Sequence, residues 1–366
     1  MQKLLCIYCN STNTKRIGKR KNKNQTIQRY KCKKCSKTFT DLASKNKTYP
    51  IKIILNTLSC YNLGNSQSKT SKIISQKYKI KLPQKTISNW INEYKQILPF
   101  YRIRPEAIKL YPPEEVIELH TLMHSNLPYK FQLHRAKLQL LFNDPKYNNR
   151  FSSIKKLQQP ITQYLEKVPT SKFPHHIFKH NKNIDKNKIK EQRASQLKLR
   201  TLNFTKFTKN NLANKLASLA INLAKTNKER HQAIQNFFLI NDSTTIATEI
   251  PVYLTNDDIK YFQKRKFNLD FKNYETPITG HIDILQVRND LIHILDYKPK
   301  ANKINPTEQL TIYALALASR TKLALSDFKA AWFDENNYYE FFPLHAVYEK
   351  QKNNKLFKSR HLIISR

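Results

Sequence analysis

Two short apolar runs in the C-terminal half of the chain, GHIDILQV and LIHILDY, lie on either side of Asn289-Asp290. Asn and Asp both tolerate positive φ, so this dipeptide predicts the two-residue turn of a β-hairpin. The turn fixes a register in which Val287 faces Ile292 and Asp283 falls directly opposite Asp296. The apolar side chains therefore align in pairs, and two carboxylates lie side by side within the predicted sheet.

The paired acids predict a metal site. Two carboxylates opposite each other across a sheet repel, and the burial of each is costly unless a partner compensates its charge. A divalent cation between them reverses that balance, because hard oxygen ligands are what Mg²⁺ requires. Lys298 projects from the same face as Asp296, where an ammonium group stabilises a phosphate or assists an attacking water. The pattern predicts phosphodiester hydrolysis, and the alternative is an ordinary Asp–Lys pair at a strand end.

The neighbouring segments predict further strands and a helix. Residues 244–254, TTIATEIPVYL, predict a strand in which Glu249 stands alone among apolar neighbours as a third candidate carboxylate. The segment NPTEQLTIYALALAS predicts a helix on which Gln309 and Tyr313, four residues apart, share a face. AAWF and YYEFFP predict later strands. The order of helix, three strands, helix and strand is that of an α/β fold.

These residues resemble the PD-(D/E)XK nuclease superfamily, and within it the RecB-like branch, over about residues 210–345. The resemblance implies an αβββαβ restriction-endonuclease-like core within residues 196–366 and Mg²⁺ or Mn²⁺ as the catalytic cation. It also implies a role for each motif residue: metal binding by Glu249, Asp283 and Asp296, assistance to the attacking water by Lys298, and DNA positioning or support of the site by Gln309 and Tyr313. In this branch the preceding helix often carries a metal-binding histidine, for which His231 is the candidate; an ordinary helix-surface histidine is the alternative.

The N-terminal segment, residues 1–48, contains two CxxC pairs, CIYC and CKKC. Each pair can present two thiolates to one ion, and two pairs complete a tetrahedral site. A segment this small cannot bury enough apolar area to fold alone, so we expect structural Zn²⁺ to supply its folding energy. The run around QRYKCKKC resembles the zinc ribbons of insertion-sequence transposases, which implies contact with DNA. The expected ligands are Cys6, Cys9, Cys32 and Cys35, whereas Cys60 is expected to be a core residue.

Residues 49–104 predict three helices with a basic surface. In the third, PQKTISNWINEYKQIL, the residues Ile87, Trp90, Ile91 and Tyr94 follow a helical stripe. The segment looks like the trihelical helix-turn-helix of transposases and repressors, in which the last helix enters the major groove of DNA. The outward polar residues expected to contact DNA are Gln84, Lys85, Ser88 and Asn89. A generic basic helical bundle is the alternative.

Residues 105–195 predict a helical, basic connector that includes the segment LPYKFQLHRAKLQLLF. Its histidines, His120, His124 and His134, are expected to be surface or core residues rather than metal ligands. Residues 179–193 are highly charged and predict a solvated loop or helix end.

The charge of the whole chain indicates its partner. There are 66 Lys+Arg against 26 Asp+Glu, a formal net charge of +40, and a surface this basic favours nucleic acid. DNA is the expected partner, although charge alone does not exclude RNA. Without an apolar run of membrane length we expect a multidomain α/β (α+β) protein that is cytoplasmic, nucleoid-associated and not bound to a membrane. A DNA nuclease from a mobile element or virus-like replicon is the leading hypothesis; a DNA-binding regulator with an inactive nuclease fold and a transposase are the alternatives.

Overall fold

The structure is a computed structural model that describes residues 5–22, 25–40, 47–124, 127–143, 155–168, 173–174, 192–199, 205–209, 211–271 and 277–348. Most of the charged segment at 179–193 lies outside these residues. Within them the chain is mixed α/β, with eleven α-helices and two sheets. None of the described helices combines the length and the apolar character needed to cross a membrane.

The N-terminal segment forms a small antiparallel sheet of three strands: β1 (Thr14–Asn22), β2 (Gln25–Cys32) and β3 (Thr38–Thr40). Its core is little more than Phe39 and the cysteine side chains, with Cys6 and Cys32 fully buried. The cysteine side chains therefore make up much of what this small sheet buries.

Four helices follow: α1 (Ile51–Asn62), α2 (Gln67–Tyr78), α3 (Gln84–Tyr94) and α4 (Arg104–Leu110). Ser66 caps α2 by accepting a hydrogen bond from the Lys69 backbone N–H at 3.1 Å, and Lys79 ends it in the left-handed conformation. Of the predicted stripe on α3, Ile87, Trp90 and Tyr94 are buried, and Ile91 is half-buried against the same core.

The middle of the chain corrects the prediction of a purely helical connector. Two strands, β4 (Ile117–His124) and β5 (Leu127–His134), precede α5 (Arg135–Asn143) and α6 (Lys155–Lys167). In β5 the buried Phe131 and Leu133 are separated by the more exposed Gln132, and Lys130 before them is exposed, which is the period of a strand and not of a helix. The prediction was wrong because the helical periodicity of α5 begins at Arg135 and does not extend back over β5.

The C-terminal half builds the large sheet. Its helices are α7 (Leu212–Ala220), α8 (Arg230–Asn241), α9 (Asn256–Lys264), α10 (Thr307–Thr321) and α11 (Pro343–Val347). Its strands are β8 (Thr245–Leu254), β9 (Ile278–Arg288), β10 (Leu291–Tyr297), β11 (Phe328–Phe333) and β12 (Tyr338–Phe341), joined by the short β6 (Gln192–Arg193) and β7 (Phe207–Thr208). The sheet order is β4-β5-β8-β9-β10-β11-β12-β7, and β6 pairs with β9. The predicted strands and the long helix are present, with α9 inserted between the first two strands.

The hairpin of β9 and β10 confirms the predicted turn and register. Asn289 and Asp290 have φ values of 52° and 58°, as a primed two-residue turn requires. Val287 pairs with Ile292, and the ladder continues as far as Leu295 opposite Ile284. The next position along this register brings Asp283 and Asp296 together.

Two hydrophobic cores meet the large sheet. One joins β8, β9, β10 and β11 to α5, α6 and α10. The other joins the same sheet, through α7 and α8, to helices α1, α2 and α3. The N-terminal helices and the C-terminal sheet, predicted as separate domains at 49–104 and 196–366, thus share one core.

Candidate active site

Three carboxylates occupy neighbouring positions on three adjacent strands of the large sheet. Glu249 lies on β8, Asp283 on β9 and Asp296 on β10, and we call these three residues the carboxylate row. The paired positions that flank them fix this alignment on both sides of β9: Thr248 with Ile284, Ile250 with Ile282, and Leu295 with Ile284.

Strand β8 is distorted at its acid. Glu249 has a φ of 54°, a left-handed conformation that is rare for a residue with a side chain in a strand. The Gln235 amide on α8 donates a hydrogen bond of 2.6 Å to Glu249 Oε1, and Gln235 itself is buried. Sequence reasoning missed Gln235, although its spacing of four residues from His231 places both on one face of α8. Gln235 therefore holds the carboxylate that the distorted backbone presents.

The other two acids are held by the end of β10. Asp283 Oδ2 accepts a hydrogen bond of 3.2 Å from the Tyr297 backbone N–H. The Lys298 ammonium lies 2.8 Å from Asp296 Oδ2, and the Asp296 side chain is only 4% exposed. Asp296 Oδ2 is therefore a buried carboxylate oxygen whose near neighbour is a cationic group.

Burial and mutual repulsion make the carboxylate row hard to ionise. Burial, and then the charge of Glu249, raise the pKa of Asp283 to about 6. Burial raises the pKa of Glu249 to about 7, with a further contribution from Asp296. The pKa of Asp296 is raised well above its ordinary value by burial and by Asp283, against the opposing effect of Lys298. Each carboxyl thus responds to another member of the row, and a divalent cation would relieve this repulsion.

His231 lies at the edge of the carboxylate row. Its Nε2 is 2.7 Å from the Tyr297 carbonyl oxygen and 3.9 Å from Asp283 Oδ2. Burial lowers the pKa of this histidine, so the neutral ring with its proton on Nε2 fits the contact with the carbonyl. His231 therefore ties α8 to the end of β10 beside the acids, and its role as a metal ligand stays a prediction.

Gln309 and Tyr313 meet on helix α10, as their spacing predicted. The Gln309 amide donates a hydrogen bond of 2.8 Å to the Tyr313 hydroxyl. Tyr313 is buried, and a Cβ atom on Gly280 would lie 2.3 Å from its ring. Strand β9 therefore needs glycine at position 280 so that α10 can pack on it. This packing favours support of the site, rather than direct DNA contact, as the role of Tyr313.

The four predicted zinc ligands converge. The Sγ atoms of Cys6 and Cys35 are 3.6 Å apart, as are those of Cys9 and Cys32, and all four lie within 4.8 Å of one another. A tetrahedral zinc site with Zn–S bonds of about 2.3 Å needs sulfur atoms about 3.8 Å apart. The cluster could therefore hold a structural zinc ion. Across the described ranges, no other group of three or more His, Cys, Asp or Glu residues has its ligand atoms within 4.8 Å of one another. The carboxylate oxygens of the carboxylate row are therefore spaced more widely than the four sulfur atoms.

The candidate DNA-contacting residues lie at the start of α3. Gln84, Lys85 and Asn89 are exposed. Ser88 is half-buried, and its hydroxyl donates a hydrogen bond of 2.8 Å to Gln67 Oε1 on α2. Three of the four predicted side chains are therefore available to a partner, whereas Ser88 also joins the two helices.

The raised pKa values predict that the fold loses stability as pH rises when divalent cations other than zinc are absent. Asp283 and Glu249 have folded pKa values of about 6 and about 7, above their ordinary values of 3.8 and 4.5. Between pH 4 and pH 7 the folded chain therefore binds more protons than the unfolded chain, so the free energy of unfolding falls through this window. We expect a fall of about 1–3 kcal/mol, complete above pH 7.

Urea unfolding at pH 5 and pH 8 measures this effect as the difference between the wild type and Asp283→Asn. The variant should be less sensitive to pH than the wild type and more stable at pH 8, and Mg²⁺ should restore stability to the wild type alone. Identical pH dependence of the two proteins would contradict the electrostatic account of the carboxylate row.

The comparison of the chain with protein-family models finds no match, and the comparisons with curated proteins and with solved structures find none either. Function must therefore be argued from the geometry of the described residues.

Proposed function

We propose that this protein is a metal-dependent DNA nuclease whose catalytic core is of the PD-(D/E)XK type. The observation that carries the proposal is the carboxylate row on three adjacent strands, with the Lys298 ammonium 2.8 Å from Asp296 at its end. An Asp–Lys pair alone is common on protein surfaces. Three acids in line, of which Asp296 is buried and the other two are half-buried, each raise the pKa of another, and stability does not explain such an arrangement.

The donor set of the carboxylate row fits Mg²⁺ or Mn²⁺. It offers carboxylate oxygens from Glu249, Asp283 and Asp296 on adjacent strands, and Asp296 Oδ2 already lies beside the positive charge of Lys298. Hard divalent cations prefer oxygen ligands and commonly complete their shell with water, so the row need not be closed. Such a cation would supply Lewis acidity towards the scissile phosphate and lower the pKa of the attacking water.

The remaining residues provide charge and support. Lys298 is 22% exposed, enough for its ammonium to meet a phosphate oxygen and stabilise the negative charge that develops there. Gln235 fixes Glu249, and the Tyr297 backbone N–H fixes Asp283. Gln309 and Tyr313 hold α10 against β9. Contacts from α8 and from the end of β10 thus hold the acids in place, and α10 packs on the strand that carries Asp283.

The N-terminal elements are proposed to bring the nuclease to DNA. The four-cysteine sheet is proposed to be a zinc ribbon, and helices α1 to α3 a helix-turn-helix that presents Gln84, Lys85 and Asn89 to base edges. The exposure of these three side chains and the net charge of +40 support this role. Lysines near the same surface suit phosphates, and the polar residues suit bases.

The test compares wild-type protein with Asp296→Asn on linear, closed circular and single-stranded DNA, with and without Mg²⁺ or Mn²⁺. Asparagine keeps the shape of the side chain but removes its charge, so the variant should stay folded and lose cleavage. The wild type should cleave only when the divalent cation is present. Equal cleavage by both proteins, or cleavage that ignores the cation, would rule out this site as the source of activity.

A further inference from the structure

Helices α1 to α3, which we call the three-helix module, share a hydrophobic core with the sheet that carries the acids. On the module side this core includes Ile54, Leu58 and Trp90. On the other side it includes Phe237 and Phe238 of α8 together with sheet residues Ile284, Leu295, Tyr297 and Phe333. Domains joined by flexible linkers bury separate cores and move independently. A single core does not allow that freedom.

Polar contacts fix the same junction. The Asn62 amide at the end of α1 donates a hydrogen bond of 2.9 Å to Asn241 Oδ1 at the end of α8, and both residues are buried. The Asn241 amide in turn donates to the Ser59 hydroxyl at 2.9 Å. These directional bonds define one orientation of α1 on α8, because any rotation would leave buried amides without partners.

The turn after α1 is held as well. The Arg104 guanidinium donates hydrogen bonds to the backbone carbonyls of Tyr61 and Asn65, at 2.9 and 2.8 Å, and stacks on the Tyr61 ring. Arg104 is buried. The segment that leaves the module is therefore packed against it rather than free to swing.

Helix α8 sets the distance between the module and the acids. His231, near its first residue, is 3.9 Å from Asp283, and Asn241, its last residue, contacts α1. Ten residues of α-helix span about 15 Å. Along duplex DNA that length corresponds to about 4–5 base pairs.

We propose that the protein is a site-specific endonuclease that cuts duplex DNA at a fixed offset, within about one helical turn, from the sequence bound by α3. This inference rests on the proposed nuclease function and assigns its substrate: duplex DNA with an internal recognition sequence and no requirement for a free end. When α3 lies in the major groove, the shared core fixes the position of the carboxylate row along the same duplex. The three-helix module therefore determines which sequence is bound. The rigid attachment of this module to the sheet determines where the DNA is cut.

The first test maps the cut. Full-length Asp296→Asn selects its preferred sequence from a pool of random duplexes, and that sequence is placed in closed circular DNA. Wild-type protein with Mg²⁺ or Mn²⁺ should produce ends at one offset on each strand, and moving the sequence by a given number of base pairs should move the cut equally. Cuts that start from DNA ends, or that ignore the placement of the sequence, would overturn the inference while leaving the nuclease proposal intact.

The second test does not depend on nuclease activity. An iron chelate that generates hydroxyl radicals is attached to Lys303→Cys, five residues after Lys298, in a Cys60→Ser background. On the selected sequence it should cleave one narrow zone beside the bound site, and protein without the new cysteine should give no such zone. A broad or scattered pattern would overturn the fixed offset. If wild-type protein cleaves no DNA but the narrow zone appears, the nuclease proposal fails and the rigid placement stands.

A matched pair of variants tests the junction itself. Asn241→Ala removes both bonds to α1, whereas Asn56→Ala removes contacts that lie within the three-helix module, with the Lys52 carbonyl and with Tyr78. The zone of chelate cleavage should widen in the first variant and stay narrow in the second. An equally narrow zone in both variants would show that the hydrogen bonds to Asn241 do not set the offset. The proposal that the junction of α1 and α8 fixes the position of the cut would then be wrong.

Discussion

Replacing Lys298 with alanine is expected to lower the rate of DNA cleavage by about 10²–10³-fold, the usual cost of removing one group that stabilises charge in a transition state. The substitution takes away the cation that lies 2.8 Å from Asp296. It also removes the charge that opposes the rise in the pKa of Asp296, so this acid should become harder to ionise. Both effects act in the same direction, and single-turnover cleavage at saturating protein measures their sum.

Two control variants separate charge from other effects. Lys298→Arg keeps a cation near Asp296 and should retain more activity than the alanine variant, although its planar group cannot occupy the position of an ammonium. Lys303→Ala removes an exposed lysine from the same segment and should cleave at close to the wild-type rate. If Lys303→Ala and Lys298→Ala lose activity to the same extent, a general loss of basic charge would explain the result and the assigned role of Lys298 would be wrong.

The hairpin of β9 and β10 could be predicted because its determinants are local. Asn289 and Asp290 specify the turn, and the apolar pairs that follow leave one register that buries them. Once the register is known, the meeting of Asp283 and Asp296 follows from counting residues. The spacing of Gln309 and Tyr313 on α10 could be predicted for the same reason.

Other parts of the site depend on contacts between distant segments. Gln235 contacts Glu249 only because α8 packs beside β8; its spacing from His231 indicates a shared helix face, but no local pattern identifies Glu249 as its partner. The distortion at Glu249, with its φ of 54°, also has no signal in a segment that reads as a plain strand. The nearby metal candidate His231 was found by resemblance, but its contact with the Tyr297 carbonyl depends on packing.

The largest difference between sequence and structure is the relation between the two halves of the chain. Composition suggested separate modules, because helices with a basic surface precede a segment with a nuclease-like pattern. The apolar faces of α1 and α3 do not reveal whether they pack on each other alone or also on another unit. In the structure α1 and α3 pack on each other and also on α8 and the large sheet. This shared core is the basis of the proposed fixed offset.

Loss of zinc is expected to unfold the N-terminal sheet while the rest of the protein stays folded. Structural zinc sites bind with an apparent free energy of about 10–16 kcal/mol, which is folding free energy when little else holds the segment. Here the apolar core around the cysteines is Phe39, with the partly buried Ile7 and Tyr30 packed against it. Neither of the two cores that meet the large sheet contains a residue of this segment, so the effect should remain local.

Cys32→Ser is the sharpest way to test this expectation, because Cys32 is fully buried and its sulfur accepts hydrogen bonds from the backbone N–H groups of Lys34 and Cys35. These bonds, that of Cys35 first, lower the pKa of Cys32 to about 6, which favours the thiolate that zinc requires. The wild type should contain one zinc per chain by elemental analysis, and the variant much less. Hydrogen exchange within residues 5–40 should become fast, while α8 and β9 keep their protection.

Cys60→Ser is the matched control. Cys60 lies on α1, outside the cysteine cluster, where its sulfur accepts a weak hydrogen bond from the Asn65 amide at 3.6 Å. Serine can accept the same bond, so this variant should keep its zinc and its exchange pattern. Because the described core of the three-helix module includes α8 and no residue of the cysteine sheet, the Cys32 variant should also keep the cleavage offset, even if it binds DNA less tightly. Slow exchange throughout residues 5–40 in zinc-free Cys32→Ser protein would mean that the sheet folds on its own packing, and the metal would then not be structural.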